Sequence, residues 1–195
     1  MNKLMGFFEL RSSSLPVVPW EEYNKNTLLD ENLLWTIRSA VFHGDDLNLP
    51  RLIGCNSHEA KIFADKTLDD LDDNGIVIYY PFFIAEKSGT MNVYKDKVVI
   101  EAVKDDLWNL VTYSERDVTV FISEQGIEYD GNEAFLTSIE MNELCNYVPK
   151  LRHMFRDFFM EGKSVLVEWS FAYNSDINKN KTGDKYLVFY EARTV

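Results

Sequence analysis

TSIEMNELCNYVPKLRHMFRDFFM, residues 137–160, is followed closely by VLVEWSFAY (165–173) and YLVFYEA (186–192). In the first segment Met141, Leu144, Val148, Leu151, Phe155 and Phe158 recur at three- and four-residue steps, which predicts one long helix with a core-facing stripe. Thr137 and Glu140 have the spacing of a capping box. Pro149 lacks the amide donor that an inner helical turn needs, so it predicts a kink or two abutting helices. The two later segments are rich in β-branched and aromatic residues and read as a closing hairpin. Their connection, 174–184, is polar and is expected to be a mobile loop. A long helix followed by a hairpin, without a regular strand–helix alternation, sets the class as α+β.

Upstream of the helix the chain is mostly strand. Residues 118–122 and 127–129 alternate, and 90–94 with 98–103 read as a hairpin around Lys95-Asp96-Lys97. The apolar run 76–84 contains Pro81, so the chain should leave its sheet, or lie at an edge, near that residue. Residues 57–71 carry an amphipathic helical pattern with Ala60, Phe63, Ala64 and Leu68 on one side, closed by Asp72-Asp73-Asn74-Gly75. LLWTIRSAV, 33–41, reads as a buried strand, and His43-Gly44-Asp45-Asp46 as the turn after it. Residues 4–10 have room for two helical turns before Pro16 and Pro19. The expected division is a short N-terminal lobe, 1–75, and a larger C-terminal lobe, 76–195.

The 195 residues, 46% hydrophobic and 14% aromatic, suffice for a core without metals or disulfides. The two cysteines, Cys55 and Cys145, form no CxxC pair, so neither a zinc finger nor a redox motif is indicated. Free thiols in a reducing, cytoplasmic compartment are the expectation. No stretch approaches the roughly 18 apolar residues of a membrane span, and the opening residues lack the pattern of a signal peptide. A net charge of −12 opposes general nucleic-acid binding. It does not oppose a site needing a few cations for phosphate and a few carboxylates for magnesium. Neither GxGxxG nor GxxxxGK[ST] occurs, which removes Rossmann and P-loop chemistry.

Three charged residues sit in apolar surroundings. Arg38 lies within LLWTIRSAV, where a guanidinium needs an anion, either a ligand phosphate or a protein carboxylate. Glu168 and Glu191 lie in the two strands of the closing hairpin. If the strands pair, the carboxylates can share a face and hold a cation between them. Otherwise they point outward and pair with Lys185 or Arg193. His43, His58 and His153 form no spaced metal set, and Asp69 to Asp73 lack the ligand order of a calcium loop, so a solvated helix end is expected there.

Several segments, in order, resemble the ATP-binding domain of phosphoenolpyruvate synthase and pyruvate phosphate dikinase. Lys3-Leu4-Met5-Gly6 followed by Leu15-Pro16-Val17 is similar to that domain's opening helix and strand, and Ile37-Arg38-Ser39-Ala40 to its Val-Arg-Ser strand. Residues 77–89 resemble its hinge strand, Val167-Glu168-Trp169 its Ile-Glu-Trp, and Tyr190-Glu191-Ala192-Arg193 its Gln-Ala-Arg ending. The resemblance implies an ATP-grasp-like, two-lobed α+β fold with mixed or antiparallel sheets, a long helix in the C-terminal lobe, and an ATP- and magnesium-dependent phosphotransferase. It implies that Lys3 and Arg38 contact ATP phosphates and that Glu168 and Glu191 hold magnesium. Tyr80, Pro81, Phe82 and Phe83 would form the hinge beside adenine, and Arg193 would brace the end of the site. Because 195 residues do not also hold the family's phosphate-accepting part, it implies either a separate protein carrying a phosphate-accepting histidine or a small molecule as the direct acceptor. The family's Gly-rich phosphate loop has one counterpart here, 48–54, and its Gly-Leu-Gly-Glu segment is missing around 104–111. A non-catalytic nucleotide sensor, or an interaction protein keeping only the fold, is the alternative.

Overall fold

The computed structural model describes residues 1–44, 46 and 49–195, with only the backbone of Val111. Its first half holds helix α1 (Lys3–Arg11), strand β1 (Glu21–Glu22), β2 (Trp35–Val41), β3 (Arg51–Cys55), helix α2 (Ser57–Leu71) and β4 (Gly75–Pro81). Then follow β5 (Phe83–Val93), β6 (Val98–Lys104), α3 (Trp108–Tyr113), β7 (Val118–Ser123) and β8 (Gly126–Gly131). The chain closes with α4 (Ser138–Met154), α5 (Arg156–Met160), β9 (Val165–Ser175) and β10 (Lys181–Thr194). Strands β1-β4-β2-β3 form a four-stranded sheet, and β10-β9-β5-β6-β7-β8 a six-stranded one. All pairings within both sheets are antiparallel. This is the two-lobed α+β layout expected from the sequence.

Alternation along the strands sorts side chains into three cores. Trp35, Ile37 and Val77 face one way and pack with Ala60 and Ala64 of α2. Ala40, Ile76, Ile78 and Tyr80 face the other way, toward Leu4 and Phe7 of α1 and toward Val188 and Tyr190 of the large sheet. The outer face of the large sheet, with Met91, Ile100, Val167 and Trp169, is covered by Leu144, Val148 and Leu151 of α4 and Phe155 and Phe159 beyond it. The two sheets thus face each other across a partly filled space. The chain passes from one sheet to the other at Phe82, directly after Pro81 ends β4 opposite Trp35. Strand β4, after the expected boundary at 75/76, therefore pairs within the small sheet.

Three local expectations differ from the structure. Helix α4 runs through Pro149 and breaks at Phe155, whose φ of −105° and ψ of 22° leave the helical region, before α5 resumes. The capping box itself is as read, with Thr137 and Glu140 bonding reciprocally. The connection 174–184 is mostly strand. Its short turn is pinned by Asp176, whose carboxylate accepts amide bonds from Asn178 and Asn180 at 2.8 Å each. The segment 48–54 is not a Gly-rich loop from Arg51 onward but edge strand β3. Asn48, and Asp45 of the preceding turn, lie outside the described residues.

Candidate active site

Between the sheets lies a cleft of about 420 Å³. Lys3, Arg38, Glu168, Glu191, Arg193, Tyr80, Phe82 and Phe83 all line it; Pro81 does not. Residues separated by most of the chain are brought together by three separate devices.

The first is the hairpin register. Glu191 stands directly opposite Glu168, so the two carboxylates project from the same face. A register shift between Phe189 and Glu191 inserts an extra residue there. Phe189 packs in the outer core, whereas Tyr190 and Glu191 both line the cleft. Alternation then resumes: Ala192 returns to the outer core and Arg193 reaches the cleft.

The second is β2, which is buried along its whole length. Thr36 and Arg38 line the cleft while Trp35 and Ile37 pack under α2. The third is α1. A methyl group on Gly6 would fall 1.8 Å from the Ala192 carbonyl oxygen, so only glycine lets the helix lie this close to β10. Asn2 caps the helix by accepting from the Met5 amide, and Asp46 accepts from the Lys3 amide at 2.8 Å. The terminal amine of Met1 donates to Thr194 at 2.7 Å. Together these hold Lys3, 13% exposed, over the hairpin.

The electrostatics are uneven. Glu191, 2% exposed, accepts from the Arg38 guanidinium through Oε2 and lies 3.4 Å from Lys3 Nζ through Oε1. Burial opposes the charge on Arg38, but Glu191, Tyr80 and Glu168 outweigh it and hold the guanidinium above its ordinary range. Glu168, 9% exposed, has no hydrogen-bond or ion-pair partner among the described residues. Burial first, and then the neighbouring Glu191, push its carboxyl up to about 7. The Nε of Arg193 is buried without an acceptor. Among the described residues, the site therefore keeps an acid and a donor without a protein partner.

The cleft has an apolar end. Tyr80 stacks on Phe83 at 6.3 Å between centroids, and Phe83 meets Tyr190 at 5.8 Å. Ile53, Phe82 and Leu107 complete this wall. On the floor, Ser88 and Ser170 share a hydrogen bond at 2.8 Å, and Ser88 also donates to the Asp105 carbonyl.

Sequence reasoning missed Gly6, Arg51, Asp106 and Trp108. Arg51 and Trp108 face each other across the cleft with the guanidinium 4.3 Å from the ring centroid. A cation–π contact between distant segments leaves no spacing pattern in the chain. Gly6, by contrast, was detectable as a glycine inside a helical pattern, which signals close approach. The described residues include no cluster of three or more His, Cys, Asp or Glu side chains placed to hold a metal ion. No helix among the described residues is long and apolar enough to cross a membrane.

No family model matches the chain, and no curated protein matches it. Among solved structures it is similar to the macrocyclase MdnC bound with precursor peptide MdnA from Microcystis aeruginosa MRC. The identity is 8%, the TM-score 0.48, and the match covers 98% of this chain and 51% of that one. The chain thus spans about half the length of that protein, and a likeness at this score and identity speaks to neither ligand nor reaction. These findings overturn the assignment to the phosphoenolpyruvate synthase and pyruvate phosphate dikinase family. The phosphohistidine-bearing partner, which rested on that assignment alone, falls with it. The placement of the charged residues stands on the coordinates.

Proposed function

We propose that the cleft binds a magnesium–nucleoside triphosphate, ATP in the first instance, and that the chain is an ATP-dependent phosphotransferase. The observation that carries this reading is the convergence of Lys3, Arg38 and Arg193 with Glu168 and Glu191 in one cleft beside an aromatic wall. The wall of Tyr80, Phe82 and Phe83 suits a planar base, and the cations suit its phosphates.

Two carboxylates do not make a complete metal cage. They do suit magnesium, which is commonly held by one or two carboxylates together with phosphate oxygens and water. Glu168 is the better ligand of the pair, because it is buried and unpartnered among the described residues and a cation beside it would relieve both burial and repulsion. Glu191 would share its oxygens between the metal and its two cations. A bound magnesium ion would supply charge neutralisation on the phosphates; the chain's own residues position and screen them, which is most of the catalytic work in phosphoryl transfer. The free Cys55 and Cys145 support a reducing, cytoplasmic setting.

A second reading has its own support. Arg38 is already matched by Glu191 within the chain, as an interaction protein that retains only the fold would require. Calorimetric titration with a non-hydrolysable ATP analogue, with and without magnesium, separates the two. The phosphotransferase reading expects magnesium-dependent binding that Arg38→Ala and Glu168→Gln each weaken by at least tenfold while remaining folded. Absence of binding up to millimolar nucleotide would leave the fold-only reading.

A further inference from the structure

Arg51 stands opposite Arg38 in the register of β3 and β2, so both side chains leave the small sheet on the same face. Arg38 goes to the floor, locked to Glu191. Arg51 stays exposed at the rim, and its guanidinium rests on Trp108 of α3, which belongs to the opposite lobe. This contact links the two sides of the cleft, and both residues line it. An exposed cation–π contact is weak, so it can open at little cost.

Among the described residues, four cations, Lys3, Arg38, Arg51 and Arg193, and three acids, Glu168, Glu191 and Asp106, line the cleft. Asp106 sits at the α3 side, accepting the Trp108 amide at 2.8 Å. Of the inner cations, Lys3 and Arg38 both meet Glu191, while Arg193 keeps a buried Nε open at the end of β10. Arg51, exposed at the rim, is the cation placed to meet charge that a longer anion brings there.

We propose that Arg51 is a specificity-determining residue of the cleft: it leaves Trp108 to engage the outermost anionic group of a nucleoside triphosphate, selecting it over the diphosphate. The proposal rests on the nucleotide reading above. Guanidinium suits the task because its planar fork can make two parallel bonds to one phosphate.

Tryptophan fluorescence reports the event directly. Trp20, Trp35 and Trp169 are buried at 3%, 7% and 0% exposure, whereas Trp108 is 44% exposed. Acrylamide quenching therefore reads Trp108 above all. Full-length wild type, Arg51→Ala, Arg51→Lys and Trp108→Phe are titrated with magnesium and either a non-hydrolysable ATP analogue or ADP, following both affinity and quenching. The expected result is a change in quenching with the triphosphate and little with the diphosphate. Arg51→Ala should lose about tenfold in triphosphate affinity and almost none for ADP. Arg51→Lys should recover part of the loss, and Trp108→Phe should keep the preference. Equal weakening of both nucleotides by Arg51→Ala, or none of either, overturns the proposal while leaving the nucleotide site intact. No nucleotide binding by the wild type defeats both.

Discussion

Glu140 and Glu168 are both buried carboxylates, 2% and 9% exposed, yet their surroundings treat them in opposite ways. Glu140 lies at the start of α4. It accepts from Lys87 at 2.6 Å, from Lys185 at 2.9 Å, and from the amide and hydroxyl of Thr137. Burial alone would raise its pKa, but these partners hold it down to about 2. Glu168 has burial and a second carboxylate instead, and goes up to about 7. A buried charge fully matched by the protein belongs to the scaffold. One left without a protein partner at a cleft is the kind of group the proposed nucleotide site would use to meet a cation.

The largest test of this contrast is Glu140→Ala. Among the described residues, it leaves Lys87 only the Phe135 carbonyl and removes one of Lys185's two carboxylate partners, and should cost about 3 kcal/mol, lowering Tm by roughly 6–12 °C. A loss under half a degree in calorimetric melting would mean that the network is solvated and idle. Gly6→Ala comes next and tests how the scaffold reaches the site. Its methyl would collide with the Ala192 carbonyl, destabilising by about 2 kcal/mol and drawing Lys3 away from Glu191. Nucleotide affinity should fall together with stability, and affinity unchanged in a destabilised protein would detach Lys3 from the site.

Glu168→Gln should do the reverse of Glu140→Ala. Removing an unmatched buried charge should leave the ligand-free fold unchanged or more stable by about 1 kcal/mol, while magnesium-dependent binding drops. Destabilisation like that of Glu140→Ala would erase the distinction between the two acids.

The pH dependence separates the two acids by sign. The contribution of Glu140 is present above its unfolded value of about 4.3 and is lost as pH falls toward 2. The contribution of Glu168, whose folded value is raised, is present below about 4.3 and is lost as pH rises through 7. In urea melts, Glu168→Gln should gain on the wild type between pH 5 and 8, and the deficit of Glu140→Gln should shrink between pH 5 and 2. Parallel curves for both variants would remove the electrostatic explanation.

Much of the scaffold was legible in the chain because its signals are local. The helix 57–71, the capping box of Thr137 and Glu140, and the exit from the small sheet at Pro81 each follow from neighbours a few residues apart. Pro149 misled because a proline marks where a helix is weakened, whereas packing decides where it breaks. With Leu144, Val148 and Leu151 seated on the large sheet, α4 held through the proline and gave way at Phe155. The polar stretch 174–184 read as loop because composition does not register the cross-strand bonds that extend β9 and β10.

The sequence by itself determined the α+β class, most strands of the large sheet, the long helix, and the oddity of Arg38, Glu168 and Glu191 in apolar strands. Those properties depend on periodicity and on the penalty for burying charge, which neighbouring residues suffice to reveal. Only the tertiary structure decided that Arg38 meets Glu191 across 153 positions of chain, that Glu168 has no partner beside them among the described residues, and that Arg51 rests on Trp108 at the rim. Pairing between distant segments is fixed by strand register, by the extra residue in β10, and by the close approach that Gly6 permits, and none of these is a property of any one stretch of sequence.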